Sequence, residues 1–415
     1  MHMQLTKKDI SLFSYIYEFK VLSLNQCWRL VYSDSTVNTC SSRLFLLHEE
    51  GYLLCSPDAV RSYTFTLTTL GIKTLYREKN WPLEVEDEWG KKIRNYKWPT
   101  ELAVRKNILS HQLALNDFLI DFILRWKTED TCGVSYRLEA EKGFRDIEFF
   151  RPDATIILKE PDGKNTFLFI EQDMGFESRR QLTEKWDRYR KFVETHRGDD
   201  EVNRMIMLFI VDYDTTKAPP HNMDFSDMPA CFAFRTREVC RSINGLLPSM
   251  LDGFFDTFIN TKDVLMDCVF QRIIPSCAGK SVFEREVMTK IFREQLGLRV
   301  TKVTKIRSRF HDTSFTYYAR KEEGGGIGKD RRGRAIAYLL DDTSFTPLSL
   351  LAKAMHMERT NAFSASYDDR FPHCTYLVYT PDASRFKELM RYCEIGECRD
   401  TEVWDASETG LAPFL

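Results

Sequence analysis

The chain has 415 residues, and its 59 Lys and Arg stand against 61 Asp and Glu for a net charge of −2. That balance excludes a uniformly basic coat for nucleic acid and confines any such binding to local patches. A hydrophobic content of 43% with 29% charged residues argues against disorder, and the length suggests about three domains. No run approaches the ~18 apolar residues of a membrane span, so no membrane insertion is expected. The start, MHMQLTKKDISLF, lacks the apolar run of a signal peptide. Eleven cysteines form no CxxC pair and eight histidines no HxH or HExxH, which removes the common zinc sites. An odd cysteine count without an export signal reads as reduced thiols in the cytoplasm.

Residues 1–77 are expected to form a helical unit with a β-hairpin. Thr6 is placed to cap a helix with Ile10, Phe13, Ile16 and Tyr17 at helical spacing. A second helix follows from Ser23. A third begins after Ser35, carries Val37, Cys40, Leu44 and Leu47 on one stripe, and stops at Gly51. Two β-patterned runs, Tyr52–Cys55 and Tyr63–Thr68, complete the order of a winged helix-turn-helix, whose third helix reads a major groove. The small or polar residues Thr36, Asn38, Thr39, Ser42 and Arg43 are the expected DNA contacts. A winged helix that binds only protein would show the same order.

Residues 78–101, with two prolines and three tryptophans, read as a linker. Residues 102–229 give an αβββαβ order: a helix over 102–126, strands near 133–139, 153–158 and 166–172, a helix over 178–196 and the strand MIMLFIVD (205–212). Residues 230–279 look helical. Residues 280–415 repeat helices and strands and are expected to form a separate α+β domain, in an order that faintly echoes 102–212. The chain is therefore expected to be an α+β, multidomain protein.

The segment RPDATIILKEPDGKNTFLFIEQDMGFESRRQLTEKWDRY (151–189) carries the most chemical information. Pro161-Asp162-Gly163 is a turn signal between two β runs. A hairpin centred on Asp162 sets Asp153 opposite Glu171, and strand alternation puts Glu171 and Asp173 on one face. Three converging carboxylates resist joint ionisation unless a cation lies among them. Mg²⁺ or Mn²⁺, bound by Asp153, Glu171 and Asp173, is the natural compensation and can activate water toward a phosphodiester. Solvated strand-end carboxylates are the plain alternative, and a register slip of one residue would separate the set. Lys185, about two turns into the following helix beside the stripe Leu182, Trp186, Tyr189 and Val193, is placed to lean over the acids and stabilise a transition state, or to be a surface lysine. Tyr189 reads as a core residue.

This segment resembles the replication-relaxation family and the MobC-type conjugative relaxases, and more distantly the PD-(D/E)XK nuclease fold. The matching residues are Arg151-Pro152-Asp153-Ala154, Glu171-Gln172-Asp173-Met174-Gly175, Glu177, Leu182, Lys185 and Tyr189, with HQLALNDFLIDF (111–122) upstream. The resemblance covers roughly residues 1–215. It implies a restriction-endonuclease-like domain and a plasmid or mobile-element protein that nicks one DNA strand at a transfer or replication origin, with double-stranded origin DNA and other mobilization or replication proteins as partners. It carries Asp153 and Glu171 over as metal ligands, Asp173 as third acid and Lys185 as a relocated lysine, since the position two after the glutamate is normally lysine and is Asp173 here. Strand cleavage is otherwise lost, leaving a non-catalytic DNA-binding accessory or regulator.

His111 shares a helical stripe with Leu115, Phe118 and Phe122, as a core or edge residue or as an accessory phosphate contact. GGGIGK (324–329) lacks the spacing of a phosphate-binding loop and reads as a hairpin tip. Residues 300–334 hold ten Lys and Arg against four acids, and this basic hairpin, with Arg331, Arg332 and Arg334 at its end, is a candidate clamp on a DNA backbone or a solvated loop.

Overall fold

The computed structural model describes residues 4–58, 62–87, 89, 91–139, 150–214, 225–278, 298–302, 306–307, 312–313, 317–323, 326–327, 337–342, 348–362, 375–380, 383–393 and 401–405. The chain is mixed α and β and divides into two compact units, residues 1–129 with 214–218, and residues 130–213 with 219–415. Among the described residues no helix is long and apolar enough to cross a membrane.

In the first unit α1 (Lys7–Phe19) starts from a capping box in which Thr6 and Asp9 satisfy each other's backbone N–H groups, and it buries Leu12, Phe13, Ile16 and Phe19. The short β1 (Leu22–Ser23) leads into α2 (Leu24–Cys27), which Ser23 and Gln26 cap in the same way and which continues as a π-helical turn, Trp28–Tyr32. Thr36 caps α3 (Val37–Glu49), whose buried stripe is Cys40, Leu44 and Leu47. Val37, expected on that stripe, lies in the first turn of α3 and is 41% exposed. Gly51 takes the left-handed conformation that ends the helix, at φ 81°.

The hairpin strands β2 (Leu53–Asp58) and β3 (Ser62–Leu67) pair antiparallel, Leu53 with Leu67 through Asp58 with Ser62, and β1 adds a third strand against β3. Thr68 then caps α4 (Thr69–Glu78), a helix the sequence pattern did not suggest. The stretch read as a linker folds into a small ribbon, β4 (Glu84–Glu86) with β5 (Lys92–Arg94), followed by the one-turn α5 (Pro99–Leu102).

The helix expected to open the next domain, α6 (Leu109–Trp126), belongs to the first unit instead. Its fully buried Asn116 donates to the backbone carbonyls of Val21 at 2.7 Å and Phe19 at 3.3 Å. Gln26 returns the contact, donating to the Leu113 carbonyl and the Asp117 carboxylate, each at 2.8 Å. Arg29 pairs with Asp117 and Asp121. Buried polar groups must find such partners, so this seam fixes α6 on α1 and α2.

The second unit is built on a five-stranded sheet of β6 (Ser135–Glu139), β7 (Ala154–Lys159), β8 (Asn165–Asp173), β9 (Val202–Val211) and β10 (Phe255–Asn260), in that spatial order. β6, β7 and β8 run antiparallel to one another, and β8, β9 and β10 run parallel. The helix α7 (Arg179–His196) connects β8 to β9, and α8 (Met228–Ser242) lies in the connection from β9 to β10. Strand β10 corrects the helical expectation for 230–279: FDTFIN holds two aromatic and two β-branched residues after a left-handed Gly253, and tertiary pairing with β9 decides its conformation. Both faces of β8 and β9 are buried, which is why their sequences read as unbroken apolar runs. On the face that bears α7, Phe167, Phe169, Met207 and Phe209 pack with Trp186, Tyr189 and Phe192. Each such large side chain contributes roughly 2–3 kcal/mol through removal from water.

The C-terminal segment adds a second sheet, with strands Leu298–Lys302, Tyr317–Glu323, Ala337–Asp342, Thr375–Thr380 and Thr401–Asp405 in that order. It is not packed as a separate body. Its helices Leu348–Ala362 and Ala383–Tyr392 place Leu350, Leu351, Phe386 and Leu389 in the same core as α7 and α8. Asp256 of β10 accepts hydrogen bonds from the backbone N–H and hydroxyl of Ser349 at the start of the first of these helices.

Candidate functional site

The hairpin register is the one expected. Ala154 pairs with Ile170 and Lys159 with Asn165, so Asp153, one residue before β7, stands opposite Glu171. Asp153 is half-buried, and its Oδ2 accepts the Gln172 backbone N–H at 2.8 Å.

Glu171 and Asp173 share the face of β8 that α7 and α8 cover, yet each has its own cation. Glu171 is 2% exposed. Its Oε2 accepts from Lys185 Nζ at 2.8 Å and its Oε1 from the Tyr189 hydroxyl at 2.5 Å. Burial pushes the Glu171 carboxyl up to about 7, with Asp153 adding to the rise and Lys185 and Tyr189 opposing it. Lys185 also reaches Glu177 Oε1 at 3.0 Å. Burial works against the Lys185 ammonium, but Glu171, Asp153 and Glu177 outweigh it and raise its pKa.

Asp173 is 3% exposed and is held by Arg235 of α8, from Nε to Oδ2 at 2.5 Å and from Nη2 to Oδ1 at 2.8 Å. The third guanidinium nitrogen donates to the Glu177 carbonyl at 2.9 Å. Asp173 Oδ1 also accepts the Gly175 N–H at 3.2 Å. Gly175 sits at φ 80°, and a Cβ there would lie 2.5 Å from the Tyr213 ring, so the turn requires glycine.

The expected convergence is thus divided. Asp153, Glu171 and Lys185 gather at one place, and Asp173 closes on Arg235 beside them. Among the described residues no group of three or more His, Cys, Asp or Glu side chains is arranged to hold a metal ion.

Three functional neighbours escaped the sequence reading. Arg235 lies 62 residues from Asp173 and carries no local signal. Tyr189 is in the core as expected, but its hydroxyl anchors Glu171. Glu177, noted only as a matching residue, is the second carboxylate on Lys185, and its Oε2 is buried with no hydrogen-bond partner.

In the first unit Thr36, Asn38, Thr39 and Ser42 are exposed on α3. Thr36 spends its hydroxyl as the helix cap, accepting the Thr39 N–H, and Ser42 bonds the Asn38 carbonyl. Arg43 differs from expectation. It is half-buried and grips Asp9, Nε to Oδ1 at 3.0 Å and Nη2 to Oδ2 at 2.5 Å, because the capping box of α1 leaves a fully buried carboxylate that demands a cation. Burial opposes the Asp9 charge, but Arg43, Thr6 and Tyr32 together hold its carboxyl below the usual range. His111 is half-buried on α6 in the first unit, whereas the acids lie in the second. Arg331, Arg332 and Arg334 lie outside the described residues.

No curated protein and no solved structure matches the chain. Residues 13–205, just under half of the chain, match the family model described as Replication-relaxation.

Proposed function

We propose that the protein is a DNA-processing protein of a plasmid or mobile element, which binds duplex DNA at a transfer or replication origin through its first unit and nicks one strand at Asp153, Glu171 and Lys185. The family match supports a role in replication or mobile-element DNA processing. The observation that carries the nuclease-like reading is the pairing of Asp153 with Glu171 across β7 and β8 while Lys185, from α7, lies on Glu171. In this reading the helices α1–α3 with the β2–β3 hairpin are a winged helix-turn-helix, and the second unit is restriction-endonuclease-like.

Asp153 and Glu171 offer hard oxygen donors on adjacent strands. That set suits Mg²⁺ or Mn²⁺, which commonly uses one or two carboxylates and takes its remaining ligands from water and phosphate. Such an ion supplies polarisation of the phosphodiester and activation of a water. Lys185 steadies charge on the reacting phosphate. Tyr189 fixes the orientation of Glu171, and Arg235 takes Asp173 out of the ligand set and uses it to shape the turn that follows β8.

Supercoiled plasmid bearing the cognate origin, incubated with Mn²⁺, tests the reading. Wild type is expected to yield nicked circles, with loss in Asp153→Ala and on chelation. Equal relaxation by wild type and Asp153→Ala, or none by either, overturns it.

A second reading is a non-catalytic DNA-binding accessory or regulator. The closed Asp173–Arg235 pair favours it, since one of the three acids already has a fixed partner. It predicts site-specific binding that tolerates chelator and alanine at Asp153, Glu171 and Asp173.

A further inference from the structure

The two sheets of the second unit have one topology. In the first, β6, β7 and β8 are antiparallel neighbours and β8, β9 and β10 are parallel, with α7 and α8 in the two connections. In the second, Leu298–Lys302 pairs antiparallel with Tyr317–Glu323, which pairs antiparallel with Ala337–Asp342. Ala337–Asp342 then runs parallel to Thr375–Thr380, and that strand parallel to Thr401–Asp405. The helices Leu348–Ala362 and Ala383–Tyr392 occupy the two connections, and both pack in the core that α7 and α8 line. Apart from the two-residue strand Gly326–Ile327, which pairs with Tyr317–Glu323 and has no counterpart in the first sheet, strand order, directions and helix positions correspond, and five strands with two crossovers leave many other arrangements open.

The chemistry does not correspond. The strand Ala337–Asp342 ends in two acids, as β8 ends in EQD, but the antiparallel neighbour brings Tyr317 opposite Leu340, and the residues before it are Ser314, Phe315 and Thr316. No carboxylate in this stretch takes the place of Asp153. The charge has inverted as well. Residues 135–173 hold six Lys and Arg against nine Asp and Glu, net −3, whereas residues 298–342 hold eleven against six, net +5, an excess carried in the sequence between the described strands. A phosphate backbone is repelled by the first balance and attracted by the second.

We propose that residues 298–405 are a second copy of the acid-bearing fold that has exchanged its opposed carboxylates for basic charge, so that one chain holds a duplex with one copy and cuts with the other. This rests on the nuclease-like reading of Asp153 and Glu171. It gives that reading a reason for stopping after one strand: cutting both strands of a duplex in one binding event takes two competent centres, and the described residues of one chain carry one.

The test has two arms on the full-length chain. In the first, supercoiled plasmid is cleaved with Mn²⁺, and wild type and Asp341→Asn/Asp342→Asn are expected to give nicked circles at rates within twofold of each other, without linear product at early times. Linear product appearing together with nicked circles, or loss of nicking in Asp341→Asn/Asp342→Asn, overturns the proposal. In the second, a labelled origin duplex is titrated in the presence of chelator. Arg320→Ala/Lys321→Ala is expected to weaken binding several-fold and to flatten its salt dependence, and an unchanged Kd and slope overturn the holding role. A wild-type chain that nicks nothing sinks the nuclease reading and leaves the second arm to judge the holding role alone.

Discussion

Arg235 holds Asp173 with two nitrogens and the Glu177 carbonyl with the third, so one guanidinium joins α8 to both ends of the turn that follows β8. Removing the arginine strands a carboxylate that is 3% exposed. Arg235→Ala is expected to destabilise the chain by about 3–5 kcal/mol in urea unfolding. Asp173→Ala/Arg235→Ala, which leaves no lone charge, is expected to recover a large part of that loss. A double variant no more stable than Arg235→Ala would contradict the assignment.

Glu171 makes stability depend on pH with a defined sign. Below its ordinary value of 4.5 the carboxyl is protonated in both folded and unfolded chains. Because burial pushes the folded value up to about 7, its contribution is fully present at low pH and is lost as pH rises through about 7. Glu171→Gln is expected to flatten that decline, on the order of 3 kcal/mol, between about pH 4.5 and 7. Lys185→Met removes a group that favours the Glu171 anion and should extend the decline to higher pH. Melting curves across this range read both effects.

On α3 two kinds of residue separate by their partners. Arg43→Ala deprives the buried Asp9 of a charged donor and is expected to cost about 2 kcal/mol. Asn38→Ala/Ser42→Ala touches exposed side chains and should leave stability within about 0.5 kcal/mol while weakening origin binding. Chemical denaturation and a duplex titration distinguish them, and a stable Arg43→Ala chain with weakened DNA binding would return Arg43 to the reading face.

Gly175→Ala forces a side chain into a left-handed position against the Tyr213 ring. The strain is roughly 1–2 kcal/mol, with overpacking adding to it. Because the turn carries Glu177 to Lys185, nicking should fall more than the melting temperature implies. Proportionate losses would make the turn a structural detail only.

The β7–β8 hairpin was legible because Pro161-Asp162-Gly163 sets a turn between two apolar runs, and centring that turn on Asp162 places Asp153 opposite Glu171. Lys185 was legible from its position beside a helical stripe. Arg235 was not, since an arginine on a mixed helix looks the same whether it meets water or a carboxylate across the sheet. Arg43 misled for a related reason: its place on α3 suggested an outward cation, and only the depth of Asp9 shows why it turns inward. The boundary expected at 102 failed because the polar stripe of α6, Asn116 with Asp117 and Asp121, resembles a solvated face until Gln26 and Arg29 are seen against it.

That seam governs where the chain can be divided. A fragment ending at residue 101 would leave the Phe19 and Val21 carbonyls and the Gln26 amide without the partners that α6 supplies. Dissection of the protein for binding studies should therefore keep everything through Glu129 in one piece, since a shorter N-terminal fragment would lack its last helix and its failure on a duplex would leave the proposed DNA binding unjudged.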